Sequence, residues 1–332
     1  MRSTATATRA LHFVGKRFFS MKNNNSMIPP AFVQEYSQAT RRTSRAAYSS
    51  LTRSNSYFLN GSVTATSRNF SAASTDGSFS LPSGADILET FGPEKSSAFE
   101  GNDVSTAMEM LSRADAVCFD VDSTVIQEEG IDVLADSLGR GEEVAAWTAK
   151  AMDGDTKFED ALAARLSIIQ PSTNDIKKCL EENPLQLSPG VDTLIKSLME
   201  RGTDVYLVSG GFRIMIEPLA EKLGLPKENI VANTILFDED GNYAGFDSNE
   251  PTSADLGKPK ALTQIKEANG YECMIMVGDG ATDAQAKPPA AAFVGFGGVA
   301  VRDAVRAKAC WFVRDFEDMI TVVNKFPHNS PN

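Results

Sequence analysis

Short apolar runs and longer amphipathic stretches alternate along the chain from Ala114 onward. Apolar runs of four or five residues bounded by turn residues predict buried strands, and apolar residues three and four apart predict helices. The predicted strands lie at 116–119, 205–208 and 274–277, with a hairpin turn at 240–242 and a final strand at 291–295. Repeated strand–helix–strand units predict an α/β fold with a Rossmann-like, doubly wound parallel sheet.

One helical block interrupts this order. Helical periodicity runs from about Ile131 to Leu180, and Pro184 ends it. We therefore predict a helical cap, 131–184, inserted after the first strand into a core formed by 104–130 and 185–327. Such a cap covers the carboxyl edge of the sheet, where parallel sheets bind their ligands. Further helices are predicted at 104–113, 191–201, before Gly224, at 259–268 and after Asp315.

The first 75 residues differ in composition from the rest. They are rich in Ser, Thr and Ala, and they carry ten Lys or Arg residues against one acidic residue, Glu35. This composition, without the apolar run of a secretory signal, is typical of a cleavable transit peptide for an organelle matrix or stroma. A plastid and a mitochondrion fit equally well, and 68–72 resembles a processing site. The alternative is a disordered tail without an address, and 76–103 is predicted to be a linker.

Composition excludes several classes of function. The remaining 257 residues carry 22 basic and 43 acidic residues, which argues against nucleic-acid partners and anionic membranes. The only histidines are His12 and His328, near the two ends, so histidine-based triads and His-ligated zinc are not expected. The cysteines form no metal-binding spacing and are predicted to be reduced: Cys118, Cys179, Cys273 and Cys310.

Polar residues cluster where three predicted strands end. Asp120–Thr124, Ser209–Gly211 and Gly278–Asp283 each follow an apolar run, and Lys258 lies between the last two. Each segment alone is also a common turn sequence. Because the carboxyl ends of parallel strands share one edge, the four together predict a phosphoryl-transfer site that uses Mg²⁺.

The side-chain chemistry at each position indicates a different role in phosphoryl transfer. Asp120 can attack phosphorus directly, and Asp122, on the same side of an extended chain, can act as general acid and then base. The Ser209 hydroxyl, Lys258 and free N–H groups of Gly210 and Gly211 can hold phosphoryl oxygens. Asp279 can share the metal with Asp120.

Longer stretches carry a resemblance to a known family. Residues 120–132, 208–213, 244–247 and 277–283 resemble, in order, the motifs of the haloacid dehalogenase-like phosphatases, and in particular of their phosphoserine phosphatase branch. The resemblance covers about 110–320. It implies hydrolysis of O-phospho-L-serine to L-serine and phosphate through an aspartyl-phosphate, as the last step of serine biosynthesis.

The resemblance also implies residue roles. Asp120 is the phosphorylated nucleophile, Asp122 the proton donor, and Mg²⁺ is held by Asp120, the Asp122 carbonyl and Asp279. The implied substrate contacts are Glu129 with the amino group, Arg165 with the carboxylate, Met152 by packing, and Ser209, Gly210, Gly211, Lys258 and Thr282 around the phosphate. Thr124 and Asp283 are implied as supporting residues.

Helix periodicity gives a test of the implied cap residues that does not depend on the resemblance. Arg165 shares one predicted helix face with Leu162, Leu166 and Ile169. A buried guanidinium there calls for an anionic partner, whereas one at the edge of the face can extend to water, and periodicity does not separate the two. The choice of Glu129 over its neighbour rests on the resemblance alone.

Two departures and two alternatives remain. The chain has Met152-Asp153 where the family commonly has Met-Gly, and Leu256-Gly257 where Gly-Gly precedes the lysine. The alternatives are a related phosphatase or phosphotransferase for another small phosphomonoester, and an inactive binding protein on the same fold. The sequence does not distinguish a monomer from a homodimer.

Overall fold

The computed structural model describes residues 82–152 and 157–326, with the backbone alone at 149–152. The predicted transit peptide with its processing site, residues 76–81 of the linker, Asp153 and both histidines lie outside the described residues, as does the Met152 side chain. Within the described part, no helix is both long and apolar enough to cross a bilayer. The four cysteines are free, as predicted.

A parallel sheet of six strands forms the centre of the described chain. Its order is β3-β2-β1-β6-β7-β8, and its strands are β1 (Ala116–Phe119), β2 (Asp204–Phe212), β3 (Ile230–Asn233), β6 (Met274–Gly278), β7 (Ala292–Phe296) and β8 (Trp311–Val313). Phe119 pairs with Leu207 on one side and Val277 on the other, so the strand ends that carry the motifs are adjacent. The predicted doubly wound α/β sheet is confirmed.

Both faces of this sheet are covered. Val117 and Phe119 of β1 pack into one apolar cluster, and Ala116 and Cys118 pack into a second on the opposite face. Alternate side chains of a strand point to opposite faces, so a strand that is apolar throughout is buried on both sides. This explains why the strands appear in the sequence as continuous apolar runs.

The remaining helices pack around the sheet, and they are numbered in the order in which they occur along the chain. The helices outside the first crossover are α1 (Gly84–Glu89), α2 (Pro93–Ala98), α3 (Val104–Ser112), α8 (Val191–Glu200), α9 (Arg213–Lys222), α10 (Gly257–Asn269), α11 (Ala281–Gln285), α12 (Asp303–Lys308) and α13 (Glu317–Lys325). A separate antiparallel hairpin, β4 (Ile235–Phe237) and β5 (Tyr243–Phe246), turns at the predicted position.

Four helices lie between β1 and β2. They are α4 (Gly130–Ser137), α5 (Gly141–Met152), α6 (Phe158–Ile169) and α7 (Thr173–Glu182), and we call them the helical insert. The two chain segments that enter and leave the insert pair with each other through an antiparallel bridge between Ile126 and Leu187. Gln127 N donates to the Gln186 carbonyl at 3.0 Å, next to that bridge. The insert is therefore joined to the sheet through one narrow, double-chain connection.

Two strand predictions are wrong in extent. The strand at 292–296 is not the last, because β8 follows it, and its three residues are too few to show a periodic pattern. β2 continues to Phe212, four residues beyond its predicted end, so Ser209-Gly210-Gly211 lie inside the strand. Glycines weaken a strand signal in sequence even where the backbone stays extended.

Candidate active site

The carboxylate of Asp120 lies at the centre of the sheet's carboxyl edge. Asp120 N donates to the Val277 carbonyl at 2.9 Å, which extends the pairing of β1 with β6 by one residue. Its Oδ1 accepts from Val121 N and lies 2.8 Å from Lys258 Nζ. The side chain is almost completely buried. The strand thus fixes the position of this carboxylate, and a cation and a backbone donor contact it.

A tight turn of residues 121–125 follows Asp120 and presents Asp122 to the same space. Asp122 keeps an extended backbone, and Ser123 takes a left-handed one, which makes the chain reverse. Asp122 Oδ1 accepts from Gly130 N at 2.6 Å, and Oδ2 accepts from Ser209 Oγ at 3.3 Å. Burial, with the nearby charges of Glu129 and Asp120, raises the pKa of Asp122 to about 7. A carboxyl with such a pKa can carry and release a proton near neutrality.

Lys258 is held between two carboxylates in the first turn of α10. Its Nζ lies 2.8 Å from Asp120 Oδ1 and 2.5 Å from Asp283 Oδ1. Burial lowers the pKa of Lys258, but the two carboxylates outweigh that effect and hold the pKa above its ordinary value. The lysine is therefore a fixed positive charge beside Asp120.

The β6–α11 turn supplies the other carboxylates. Asp279 follows the last residue of β6, and Asp283 Oδ2 accepts from Gly280 N at 2.8 Å. Burial and the charge of Asp120 raise the pKa of Asp283 to about 7, although Lys258 favours its ionised form. Thr124 Oγ1 donates to Asp279 Oδ1 at 3.4 Å.

Three of these carboxylates can hold a divalent cation. One oxygen each from Asp120, Asp279 and Asp283 lie within 4.8 Å of one another, and all three residues are buried. Carboxylate oxygens are the donors that hard cations such as Mg²⁺ and Ca²⁺ prefer. The residues present therefore fit a divalent cation.

The end of β2 closes the other side of the site. A Cβ on Gly211 would come within 2.9 Å of Asp122 Oδ2, and one on Gly210 within 2.9 Å of Phe158 in the helical insert, so a side chain at either position would displace a residue of the site. Gly211 N donates to Ser209 Oγ at 2.8 Å. The prediction of a free Gly211 N–H is wrong for this arrangement, because the serine hydroxyl occupies it.

The predicted amino-acid contacts approach from the helical insert. Glu129 precedes α4, and its Oε1 accepts from Ser123 Oγ at 2.7 Å; burial raises its pKa. Arg165 Nε donates to the Ala161 carbonyl at 3.2 Å. Burial lowers the pKa of Arg165, and the opposing charges of Asp132, Glu129 and Asp122 raise it. Arg165 is partly buried and lies within electrostatic range of these carboxylates.

Several residues of the site were not predicted from the sequence. Arg302, just before α12, forms an ion pair with Asp279, and Ser123 positions Glu129. Asn233 at the end of β3 donates Nδ2 to the Gly210 carbonyl at 2.8 Å and accepts from Thr252 Oγ1 at 3.0 Å, which fixes the glycine strand end. A buried Asn after an apolar run was the available signal for Asn233, whereas a loop arginine gave none. Of the predicted residues, Thr282 lies exposed at the start of α11.

Together these side chains can bind a phosphate monoester and transfer its phosphoryl group. A buried nucleophilic carboxylate, a second carboxyl with a pKa near neutrality, a fixed lysine and a cation site lie at one sheet edge. A family model described as haloacid dehalogenase-like hydrolase matches residues 114–287. The chain belongs to the haloacid dehalogenase-like hydrolases.

Several known proteins are similar to this chain in sequence or in structure. The chloroplastic phosphoserine phosphatase of Arabidopsis thaliana is 50% identical over 225 residues, which are 67% of this chain and 76% of the relative. A solved phosphoserine phosphatase that mimics the phospho-aspartyl intermediate matches with a TM-score of 0.55 and 28% identity, over 63% of this chain and 98% of its own. DsGPDH of Dunaliella salina matches with a TM-score of 0.59 and 35% identity over 67% of this chain, but the chain spans only 38% of that larger protein.

Proposed function

We propose that this enzyme hydrolyses O-phospho-L-serine to L-serine and phosphate. The phosphatase class follows from the family and from relatives that carry the phosphoserine phosphatase name. The observation that carries the substrate proposal is that Glu129 directly precedes Gly130, whose N–H donates to Asp122, and that Arg165 lies within electrostatic range of Glu129 and Asp122. A guanidinium and a carboxylate on one side of a phosphate site match the carboxylate and the ammonium of an amino acid.

The first half of the reaction moves the phosphoryl group to Asp120. Asp120 attacks phosphorus, the bond from phosphorus to the serine oxygen breaks, and Asp122 gives its proton to that oxygen. Lys258 and Ser209 hold the phosphoryl oxygens, with Gly210 N–H and Thr282 at the same group. Lys258 is in place before substrate binds, whereas the Ser209 hydroxyl, which donates to Asp122, has to turn toward the phosphate.

The second half restores the enzyme. A water molecule attacks phosphorus, Asp122 takes one of its protons, and the bond between phosphorus and Asp120 breaks to release phosphate. Mg²⁺ held by Asp120, the Asp122 carbonyl and Asp279 would neutralise charge on the phosphoryl oxygens. Asp283 supports Lys258, and Thr124 supports Asp279.

The helical insert serves as a cap in this proposal. Phe158 packs against Gly210, and Glu159 Oε2 accepts from Asp255 N at 3.3 Å, so α6 already contacts the phosphate side. A cap joined by one narrow connection can close over substrate and limit access of bulk water during the first transfer. Met152 is proposed to pack against the bound amino acid.

We place the mature protein in the plastid. The leader has the composition of a transit peptide, and the Arabidopsis relative is named chloroplastic. Residues 1–80 fused to a fluorescent protein are expected to direct it to plastids, and mitochondrial fluorescence would overturn this assignment.

Phosphate release tests the catalytic proposal. Residues 76–332 are assayed with L-phosphoserine, L-phosphothreonine and a sugar phosphate, each with Mg²⁺ and with EDTA. We expect Mg²⁺-dependent release from phosphoserine far above the other two substrates. Preferred release from the sugar phosphate would overturn the role of Arg165 and Glu129, and no release from any substrate would overturn the enzyme itself.

A further inference from the structure

Arg302 contacts the cation site from outside the predicted machinery. It lies in the loop between β7 and α12, and its guanidinium forms an ion pair with the Asp279 carboxylate. Its Nη1 also donates to the Asp279 carbonyl at 3.2 Å. One arginine therefore holds both the side chain and the backbone of this residue.

The two protein cations of the site divide the carboxylates between them. Lys258 is buried and lies against Asp120 and Asp283, whereas the Arg302 side chain is 32% exposed and lies against Asp279. Three carboxylates against two cationic side chains leave one formal negative charge. Without Arg302, Asp279 would be a nearly buried carboxylate beside two others, which is a costly arrangement.

A divalent cation bound to the same carboxylates would change the charge balance of the site. If a divalent cation joins the three carboxylates while Lys258 and Arg302 both stay, the formal charge of the group becomes positive. If Arg302 withdraws, the three negative carboxylates balance the charges of Lys258 and the divalent cation. A guanidinium and a metal ion on one carboxylate also repel each other at short range. Two positive groups thus compete for Asp279.

The segment that carries Arg302 is suited to such an exchange. Residues 297–302 form no helix or strand, and Val299 and Val301 expose 40% and 46% of their surfaces. Lys258, by contrast, is fixed in a helix. Withdrawal of Arg302 toward solvent therefore breaks few contacts of the core.

We propose that Arg302 is an internal counter-ion of Asp279, which occupies the carboxylate when no metal is bound and leaves it when a divalent cation enters. Arg302 is then a positioning residue that sets the affinity for the metal. The inference rests on the cation site of the proposed function, but it concerns metal binding and does not depend on which phosphomonoester is hydrolysed.

Mg²⁺ binding to the purified protein tests this role. Calorimetry compares the wild type with Arg302→Gln, Arg302→Lys and the matched control Arg306→Gln, whose arginine pairs with Glu100 away from the site. We expect Arg302→Gln to bind Mg²⁺ roughly tenfold more tightly, because the competing charge is gone, and the lysine variant to fall between. Arg306→Gln should bind as the wild type does.

Thermal unfolding gives a second readout that needs no substrate. Arg302→Gln should unfold at a lower temperature than the wild type in EDTA and gain more from saturating Mg²⁺. A merely structural loss would weaken metal binding, so equal or weaker affinity in Arg302→Gln overturns the inference. A wild-type protein that binds no Mg²⁺ overturns the cation site itself, and with it this part of the proposed function.

Discussion

The phosphate side of the site and its amino-acid side are built in different ways. On the phosphate side, Asp120, Asp279 and Asp283 each have a protein cation in contact. On the amino-acid side, within the part of the chain that the structure describes, the hydrogen bond of Arg165 goes to its own helix, and Glu129 is held by one serine hydroxyl. In the proposed reaction, the charges that act on the phosphate are held by ion pairs before substrate binds, whereas Arg165 and Glu129 would gain their ionic partners only from the substrate.

Loss of the nucleophile should have the largest effect. Asp120→Asn keeps the shape of the side chain but removes the attacking charge, so kcat is expected to fall by at least about 10⁴-fold. Circular dichroism should show an unchanged fold, because the strand pairing of residue 120 uses its backbone. Substantial turnover by this variant would contradict transfer to Asp120.

Removal of the fixed cation should cost stability as well as activity. Lys258→Met leaves Asp120 and Asp283 buried side by side, which we expect to lower the free energy of unfolding by about 3 kcal/mol in EDTA. Burial already raises the pKa of Asp283 to about 7, and loss of the lysine raises it further. When folding raises the pKa of a carboxyl, the folded protein loses stability as the pH rises through that pKa. The difference in free energy of unfolding between the wild type and Lys258→Met should therefore shrink when the pH is lowered from 8 toward 5.

Urea unfolding at both pH values measures this deficit. Lys260→Met is the matched control, since Lys260 is exposed on the same helix and its loss should change little. A Lys258→Met protein as stable as the control would show that the two carboxylates do not depend on the lysine.

The amino-acid side should respond in a substrate-dependent way. Arg165→Ala and Glu129→Ala each remove one charged contact, and we expect the KM for phosphoserine to rise about 10- to 100-fold. The KM for p-nitrophenyl phosphate should stay close to that of the wild type. Arg140→Ala, which removes an exposed arginine of the insert, serves as the control; equal losses on both substrates in Arg165→Ala would place the arginine on the phosphate instead.

The smallest expected effect is a gain in stability. Leu256 takes a left-handed backbone with φ of 55° directly before α10 and is 55% exposed. Leu256→Gly removes this backbone strain from the folded state, but it also makes the unfolded chain more flexible. Because the first effect should outweigh the second, we expect the free energy of unfolding to rise by up to about 1 kcal/mol. Calorimetric melting measures it, and a lower melting temperature for Leu256→Gly than for the wild type would show that the leucine packs usefully there.

The parallel sheet and the phosphate side were open to prediction from the sequence for one physical reason. Buried parallel strands are continuous apolar runs, and each motif starts where a run stops, so Asp120, Ser209 and Asp279 were placed by the ends of these runs alone. The short strand β8 and the extension of β2 through two glycines lacked such a run.

Contacts that depend on loops could not be predicted in the same way. Arg302 reaches Asp279 from a loop 23 residues further along the chain, and Gly211 N–H turns to Ser209 Oγ because of local geometry. Periodicity described the helix that carries Arg165 but not the direction of its guanidinium, whose Nε donates to the Ala161 carbonyl. Side-chain direction at a junction of segments is a tertiary property.

Acid quenching of the first turnover tests the central claim most directly. The protein is mixed with radiolabelled phosphoserine and Mg²⁺, quenched in acid, digested and analysed by mass spectrometry. The account predicts an acid-stable, alkali-labile phosphoryl group on the peptide that contains Asp120, and none in Asp120→Asn. Rapid phosphate release without a labelled enzyme, or a label on Ser209, would contradict it.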